Sequence, residues 1–315
     1  MSAVPGSRDA HHDSRARIVA AFVAVYIVWG STYLAIRYAV QTIPPFVMVG
    51  TRFAVSGVIL YAWARWRGSP RPTGAQWRDA TVTGALMLCC GNGAVSWAEQ
   101  RVPSGIASLL VAVVPLWMVL VEWLRPRGER PRALVVAGVV IGLLGLAVLV
   151  GPASFRGEGD VDSAGAVVLI LGSLAWAAGS VFNRHGSRPD SAAMSTGLQM
   201  VGGSVALLLL GVMRGEIANV HLRQISAASW AGWIYLVTFG SLVGFTAYIY
   251  LLQTVSPAKA STYAYVNPLV AVLLGWAIAG ESVSLRSLGA AAIILAAVAM
   301  ITVSQGGEFV DSGTS

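Results

Sequence analysis

Asn92 and Asn267 carry amides that are costly to bury without a partner, and both lie in long apolar stretches on runs spaced for one helix face. Lys259, Tyr263 and Asn267 recur every four residues and end beside Pro268. Asn92, Ser96 and Glu99 form a second stripe; Trp29, Tyr33 and Arg37 form a third, with Ser31 and Thr32 alongside. Thr246, Tyr250 and Gln253 make a fourth, and Trp176 with Ser180 a fifth. Aromatic rings, hydroxyls and neutral amides together suit an amphipathic organic solute better than a bare ion. Hydroxyls alone serve equally well as glue between helices, so the two amides weigh most.

Other chemistries find little support. A phosphate-binding loop needs Gly-x-x-x-x-Gly-Lys-Ser/Thr, yet the single lysine, Lys259, lies in Ser-Pro-Ala-Lys-Ala. Cys89 and Cys90 are adjacent inside an apolar block and read as small packing residues rather than a metal or disulfide site. His11, His12, His185 and His221 all fall in tails or loops. With no Ser-His-Asp set and no paired carboxylates in the apolar blocks, the expectation is no enzyme, no catalytic residue, no metal and no cofactor.

The elements that hold these stripes follow from composition. Of 315 residues, 56% are hydrophobic and only 11% charged, against about 25% charged in soluble domains. Ten apolar blocks, at 18–40, 45–64, 80–99, 103–124, 132–150, 163–183, 190–213, 229–252, 257–279 and 285–304, are each long enough to cross a hydrocarbon core of about 30 Å. The chain therefore reads as an all-α integral membrane protein that retains its first block as a span, with no cleaved signal peptide. The net charge of +7 fits orientation rather than nucleic acid. With the N-terminus inside, thirteen arginines fall in cytoplasmic segments and five on the opposite side, which predicts both termini in the cytoplasm. Trp63, Trp66, Trp77, Trp230 and Trp233 fall at block edges, where indoles favour the interface.

Shifting the sequence by 153 positions gives twelve identities between Gly91 and Trp123, among them Gly91/Gly244, Gln100/Gln253, Pro115/Pro268 and Trp123/Trp276. A second echo spaces Trp29 from Arg37 as it spaces Trp176 from Arg184. Two five-helix halves follow, and an odd number of spans turns the second half upside down. Inverted repeats suit a carrier that closes alternately toward each face. Pro115 and Pro268 remove the amides that would serve the carbonyls of Val111 and Ala264. Such breaks are tolerated beside protein or a wet cavity, so the fourth and ninth spans are expected to break and line a hollow at the midplane.

The charges within or near the spans have plainer and sharper readings. Arg37, Arg52 and Glu99 fall in the outer half, where Glu99 is expected to pair with Arg52 or Arg37. That pair is either a static tie, an outer gate, or a place where Glu99 takes up a proton. Lys259 lies at the inner mouth, snorkelling to water or meeting a solute carboxylate. Glu122 and Glu281 lie near span ends and are expected to be solvated. Gly138, Gly142 and Gly145 make a small face that packs within the chain more often than it dimerises. Oligomeric state stays open.

Trp29-Gly30-Ser31-Thr32-Tyr33 followed by Arg37, and Pro45 followed by Arg52-Phe53, resemble the opening of EamA-type proteins of the drug/metabolite transporter superfamily. Gly91-Asn92-Gly93, Pro103-Ser104-Gly105, Pro115-Leu116, Tyr263-Ala264-Tyr265-Val266-Asn267-Pro268 and Gly280-Glu281 continue the resemblance over roughly residues 18–304. Around Trp176 the second half lacks Gly-Ser-Thr-Tyr. The resemblance implies ten helices in two inverted repeats, with the repeats at 18–150 and 163–304 between tails 1–17 and 305–315 and joined by a loop at 151–162. It also implies a bacterial inner-membrane exporter of metabolites such as amino acids or toxic analogues, with a central cavity. The partners expected are a small-molecule substrate and the lipid bilayer, not nucleic acid. A proton as coupling ion is left open, as are a passive channel and a sugar-phosphate-type anion exchanger.

Overall fold

Apolar stripes facing outward and small residues facing inward determine how this chain packs. On the helix Ala133–Phe155, Val136, Val140, Leu144 and Val148 are exposed at every fourth position. On the opposite side a methyl group at Gly138 would stand 2.8 Å from Ile301, at Gly142 2.3 Å from Leu116, and at Gly145 2.9 Å from Ile293. Val19, Val23 and Ile27 make a similar outward stripe on the first helix. A water-soluble fold would bury such side chains; one dissolved in lipid has no reason to, and it uses its glycines to bring backbones close.

The computed structural model describes residues 7–125, 131, 133–155, 161–254 and 263–306. In chain order the helices are α1 (Ser7–Ala39), α2 (Pro45–Trp66), α3 (Gly74–Gly84), α4 (Gly93–Ala98), α5 (Ser104–Val111), α6 (Val114–Leu124) and α7 (Ala133–Phe155). Then come α8 (Ser163–His185), α9 (Ala192–Met213), α10 (Ala227–Tyr235), α11 (Gly244–Thr254), α12 (Tyr263–Ala279) and α13 (Leu285–Gly306). A π-helix, Ala85–Asn92, joins α3 to α4, and a second, Leu236–Val243, joins α10 to α11. Among the described residues there is no strand. Six stretches of the described residues are long and apolar enough to cross a membrane: Ala16–Ala39, Pro45–Trp66, Ser104–Leu124, Ser163–His185, Ala192–Met213 and Ala227–Tyr248. Ala133–Leu149, Val266–Ala279 and Leu285–Ile301 are shorter apolar helices.

Local chemistry fixes several ends. Thr73 and Gln76 form a reciprocal capping box ahead of α3, and Asp162 accepts from the Gly165 amide at 2.6 Å to start α8. Glu216 accepts from the amides of Phe46 and Val47 at 2.9 and 3.1 Å, capping α2 from a distant loop. Burial raises the Glu216 carboxyl above its ordinary range, against those amides and Arg214, which lower it. At the other end of the bundle, Asp79 accepts from Arg78 Nε and from the Ser187 amide, both at 2.8 Å. Arg78 first, and then the Ser187 amide, hold its carboxyl below the usual range.

The most extensive helix contacts are α2 on α9, α7 on α13, α1 on α12, α3 on α9 and α8 on the first π-helix, followed by α8 on α6, α1 on α11 and α12 on α5. Exchanging the first five apolar blocks for the last five maps each of these pairings onto another of them or onto itself, except α3 on α9, whose counterpart is the weaker contact of α2 with the second π-helix. Direction reverses under the same exchange. The last turn of α1 carries Arg37, beside a hollow bounded by Val102 and Pro103. α8 begins at that end, where a Cβ on Gly165 would lie 2.5 Å from Val102.

The fourth and ninth blocks differ from each other. In the fourth, the helix stops at Val111, turns through Ala112 and Val113, and resumes with Pro115 in its first turn. Pro268 instead sits inside α12, which runs through it as one helix.

Candidate functional site

Trp29 lies where α1 meets α11 and α12. Its indole is 5.3 Å from the ring of Phe245, 5.0 Å from Tyr248 and 5.1 Å from Tyr263, the last edge-on at 89°. Its Nε1 donates to the carbonyl of Gly240 at 3.2 Å, in the second π-helix. Room for the indole comes from Gly244: a Cβ there would stand 2.4 Å from Trp29 Nε1. Trp176 has the corresponding neighbour, since a Cβ on Gly91 would meet its ring at 3.0 Å. Each tryptophan thus rests on a glycine of the other half.

The remaining stripe residues divide around these two centres. Thr32 Oγ1 donates to the Trp29 carbonyl at 2.6 Å, and its methyl group faces Gly240. Ser31 turns away, to the Tyr235 hydroxyl at 2.6 Å. Tyr33 and Tyr250 are half-buried, and Tyr250 packs in the cluster that holds Trp29 and Tyr263. Asn267 is 8% exposed; its amide nitrogen, in the orientation its neighbours favour, donates to the carbonyls of Tyr26 and Tyr263, both at 3.3 Å. Ser180 donates to the Trp176 carbonyl at 2.8 Å. Ser96 is fully buried and its hydroxyl has no hydrogen-bond partner among the described residues. Asn92 is half-buried at the end of the first π-helix. Lys259 lies outside the described residues.

Tyr248 and Phe245 were not among the side chains singled out by spacing. Counting back from Gln253 by helical steps selects Thr246, but Thr246 is exposed and its hydroxyl donates to the carbonyl of Leu242 at 2.6 Å. Phe245, Tyr248 and the buried Leu251 recur every three residues on one face of α11, and the Thr246 stripe marks another face of the same helix. The signal available was the aromatic run of Phe245, Tyr248 and Tyr250 itself.

The charged residues depart from expectation. Among the described residues Glu99 pairs with neither Arg52 nor Arg37: it is 4% exposed, and neither carboxylate oxygen has a hydrogen-bond partner. Arg37 instead forms an ion pair with Glu281. Glu281, read from sequence as solvated, is 9% exposed. Its carboxylate also accepts from the Ser104 amide at 2.8 Å, the Ser104 hydroxyl at 2.7 Å and the Gly105 amide at 3.0 Å. Gly280 causes the difference. Its φ of 65° ends α12 in a left-handed turn, and the Glu281 amide returns to the Gly275 carbonyl at 3.0 Å. That turn folds Glu281 inward onto the start of α5, where amides welcome a carboxylate. Arg37 and Glu99, with Gln41, Gln100 and Arg101, line an open hollow of about 410 Å³ at this end of the bundle.

The sequence profile described as the EamA-like transporter family matches residues 16–151 and again residues 163–303. The chain is 39% identical over 283 residues to an Escherichia coli (strain K12) protein titled "Uncharacterized inner membrane transporter YedA", covering 90% of this chain and 89% of that one. It is 26% identical to Protein PecM of Dickeya dadantii, over 87% of this chain and 88% of that one. A crystal structure superposes with a TM-score of 0.62 at 21% identity, over 91% of this chain and 98% of its own, which speaks to fold alone.

Proposed function

The chain belongs to the EamA-like transporter family and is a multi-pass transporter of the inner membrane, and from this premise we propose that it is a secondary-type carrier exporting small amphipathic metabolites by alternating access. Ten spans form two inverted repeats, 18–150 and 163–304, with both termini in the cytoplasm. The excess of arginines on the segments assigned to the cytoplasm supports that orientation. Trp29, Thr32, Tyr33, Asn92, Ser96, Trp176, Ser180, Tyr250, Tyr263 and Asn267 supply the solute contacts, from two sets centred on the two tryptophans.

One observation carries this reading: most of the extensive helix contacts map onto one another when the halves are exchanged, while α1 and α8 run in opposite directions. A bundle with that property has two equivalent closures, one at each end, as alternating access requires. At the Arg37 end the closing elements are Arg37, Glu281 and the start of α5, with Glu99 in the wall of the hollow.

The test is a panel of amino acids and related amphiphiles in proteoliposomes, with and without an imposed pH gradient. A carrier gives saturable flux and trans-stimulation. A passive channel gives neither, and that result ends the proposal. A pH gradient that drives accumulation assigns the proton as coupling ion. Asn267→Ala abolishes flux while the protein still assembles; full flux in that variant removes Asn267 from the site.

A further inference from the structure

Arg52 lies seven residues beyond Pro45 on α2, about 10 Å along the helix at 1.5 Å per residue. Only 3% of it is exposed, and it is the one buried basic side chain among the described residues. Its Nε donates to Ser241 Oγ at 3.0 Å, its guanidinium carbon lies 4.5 Å from the ring centroid of Phe53, and its Nη1 has no hydrogen-bond partner among the described residues. No carboxylate among the described residues is paired with it. Glu281 serves Arg37 and the start of α5. A cation at this depth with neutral neighbours alone is costly, and within a span it marks a place where an anion is handled.

The surroundings indicate where that anion fits. Ser241 and Gly240 belong to the second π-helix, and Gly240 lies beside the guanidinium. A Cβ on Gly240 would stand 3.6 Å from Arg52 Nη2 and 3.2 Å from the Thr32 methyl group. The Gly240 carbonyl also receives Trp29 Nε1, so the cation and the aromatic cluster adjoin the same residue.

We infer that Arg52 is the anion anchor of the solute site, holding a single carboxylate through Nη1 and Nη2 while the solute's apolar body lies toward Thr32 and Trp29. This deepens the carrier reading and rests on it for passage of the solute, though not for its binding. A guanidinium forks onto one carboxylate. A doubly charged phosphate would need a second buried cation, so the ligand class is a monocarboxylate with an apolar or aromatic body.

The experiment uses the purified full-length chain in detergent. Titration calorimetry compares monocarboxylates from acetate to 3-phenylpropionate with their amides and with phenyl phosphate, and unfolding temperature is read without ligand. The expected result is that at least one carboxylate binds about tenfold or more tighter than its amide and than phenyl phosphate. Arg52→Gln erases that preference and Arg52→Lys keeps part of it. Ligand-free Arg52→Gln unfolds at the same or a higher temperature, because an unpaired charge has been removed. An arginine that serves packing alone gives the opposite: no carboxylate preference in the wild type and a lower ligand-free unfolding temperature in Arg52→Gln. That result overturns the inference. So does a carboxylate preference that survives Arg52→Gln, tighter binding of phenyl phosphate, or no binding by any carboxylate. Trans-stimulated flux without carboxylate preference removes the anchor and leaves the carrier; carboxylate preference without such flux removes the carrier and leaves the anchor.

Discussion

Trp29 rests on Gly244 so closely that any side chain at the glycine would strike the indole, its Cβ falling 2.4 Å from Nε1. The same relationship recurs between Trp176 and Gly91, with the halves interchanged. Two separate echoes in the sequence, one in tryptophan spacing and one in a 153-residue shift, therefore meet in space.

Gly244→Ala forces Trp29 out of place and lowers stability by about 1–3 kcal/mol, the usual cost of overfilling a packed site. Gly91→Ala costs less, because the contact distance there is 3.0 Å. Trp29→Phe restores room and rescues Gly244→Ala. Thermal unfolding of the four variants in detergent, including the double variant, checks the order; equal losses at the two glycines contradict it.

At the Arg37 end, Glu281→Ala leaves the guanidinium and the start of α5 without their carboxylate, for a loss of about 3 kcal/mol. Glu281→Gln loses less, since an amide oxygen still accepts from Ser104. Unfolding by denaturant reads both, and an alanine variant as stable as the wild type refutes the assignment.

Two carboxylates outside the spans give stability opposite pH slopes. Asp79 is depressed by Arg78 and the Ser187 amide. Its contribution is present above the unfolded value, about 3.9, and is lost as pH falls through the lower folded value. Glu216 is raised by burial. Its folded form holds the proton longer, so stability declines as pH rises from about 4.3 through the raised value. Unfolding temperatures from roughly pH 3 to 8 should show the first slope vanish in Asp79→Asn and the second in Glu216→Gln. Unchanged slopes dismiss both causes.

Pro115→Ala returns an amide to the break between α5 and α6, where it can serve the Val111 carbonyl. The variant lets one helix run through the break, and its counterflow slows because a hinge has been stiffened. Unaltered counterflow would show that the break has no part in transport.

The helical class was legible because block length and hydropathy are set by the bilayer. The crossed halves were legible because Gly91, Gly244, Trp29 and Trp176 are large or absent side chains at close contacts, and such types resist substitution by chance. Less could be read of the charges. Glu281 looked solvated since nothing in sequence says that Gly280 adopts a left-handed turn and aims its neighbour inward. Arg52 and Glu99 looked like a pair because opposite charges in one leaflet invite pairing, yet their directions depend on helix rotation. Tyr248 is missed because the polar residues of α11 mark a different face from Phe245 and Tyr248. Pro115 and Pro268 occupy matching positions, but only the first stands at a break between helices; local sequence is symmetric there and the surroundings are not.

Every one of the most extensive helix contacts joins the first five apolar blocks to the last five. During synthesis the earlier half must therefore wait, inserted but without its mates, until the later half emerges. Its glycine-lined surfaces stay available in that interval to any other membrane segment nearby. Biogenesis is the stage at which this architecture is most vulnerable, and a delay in translation between the halves should cost more yield than one within either.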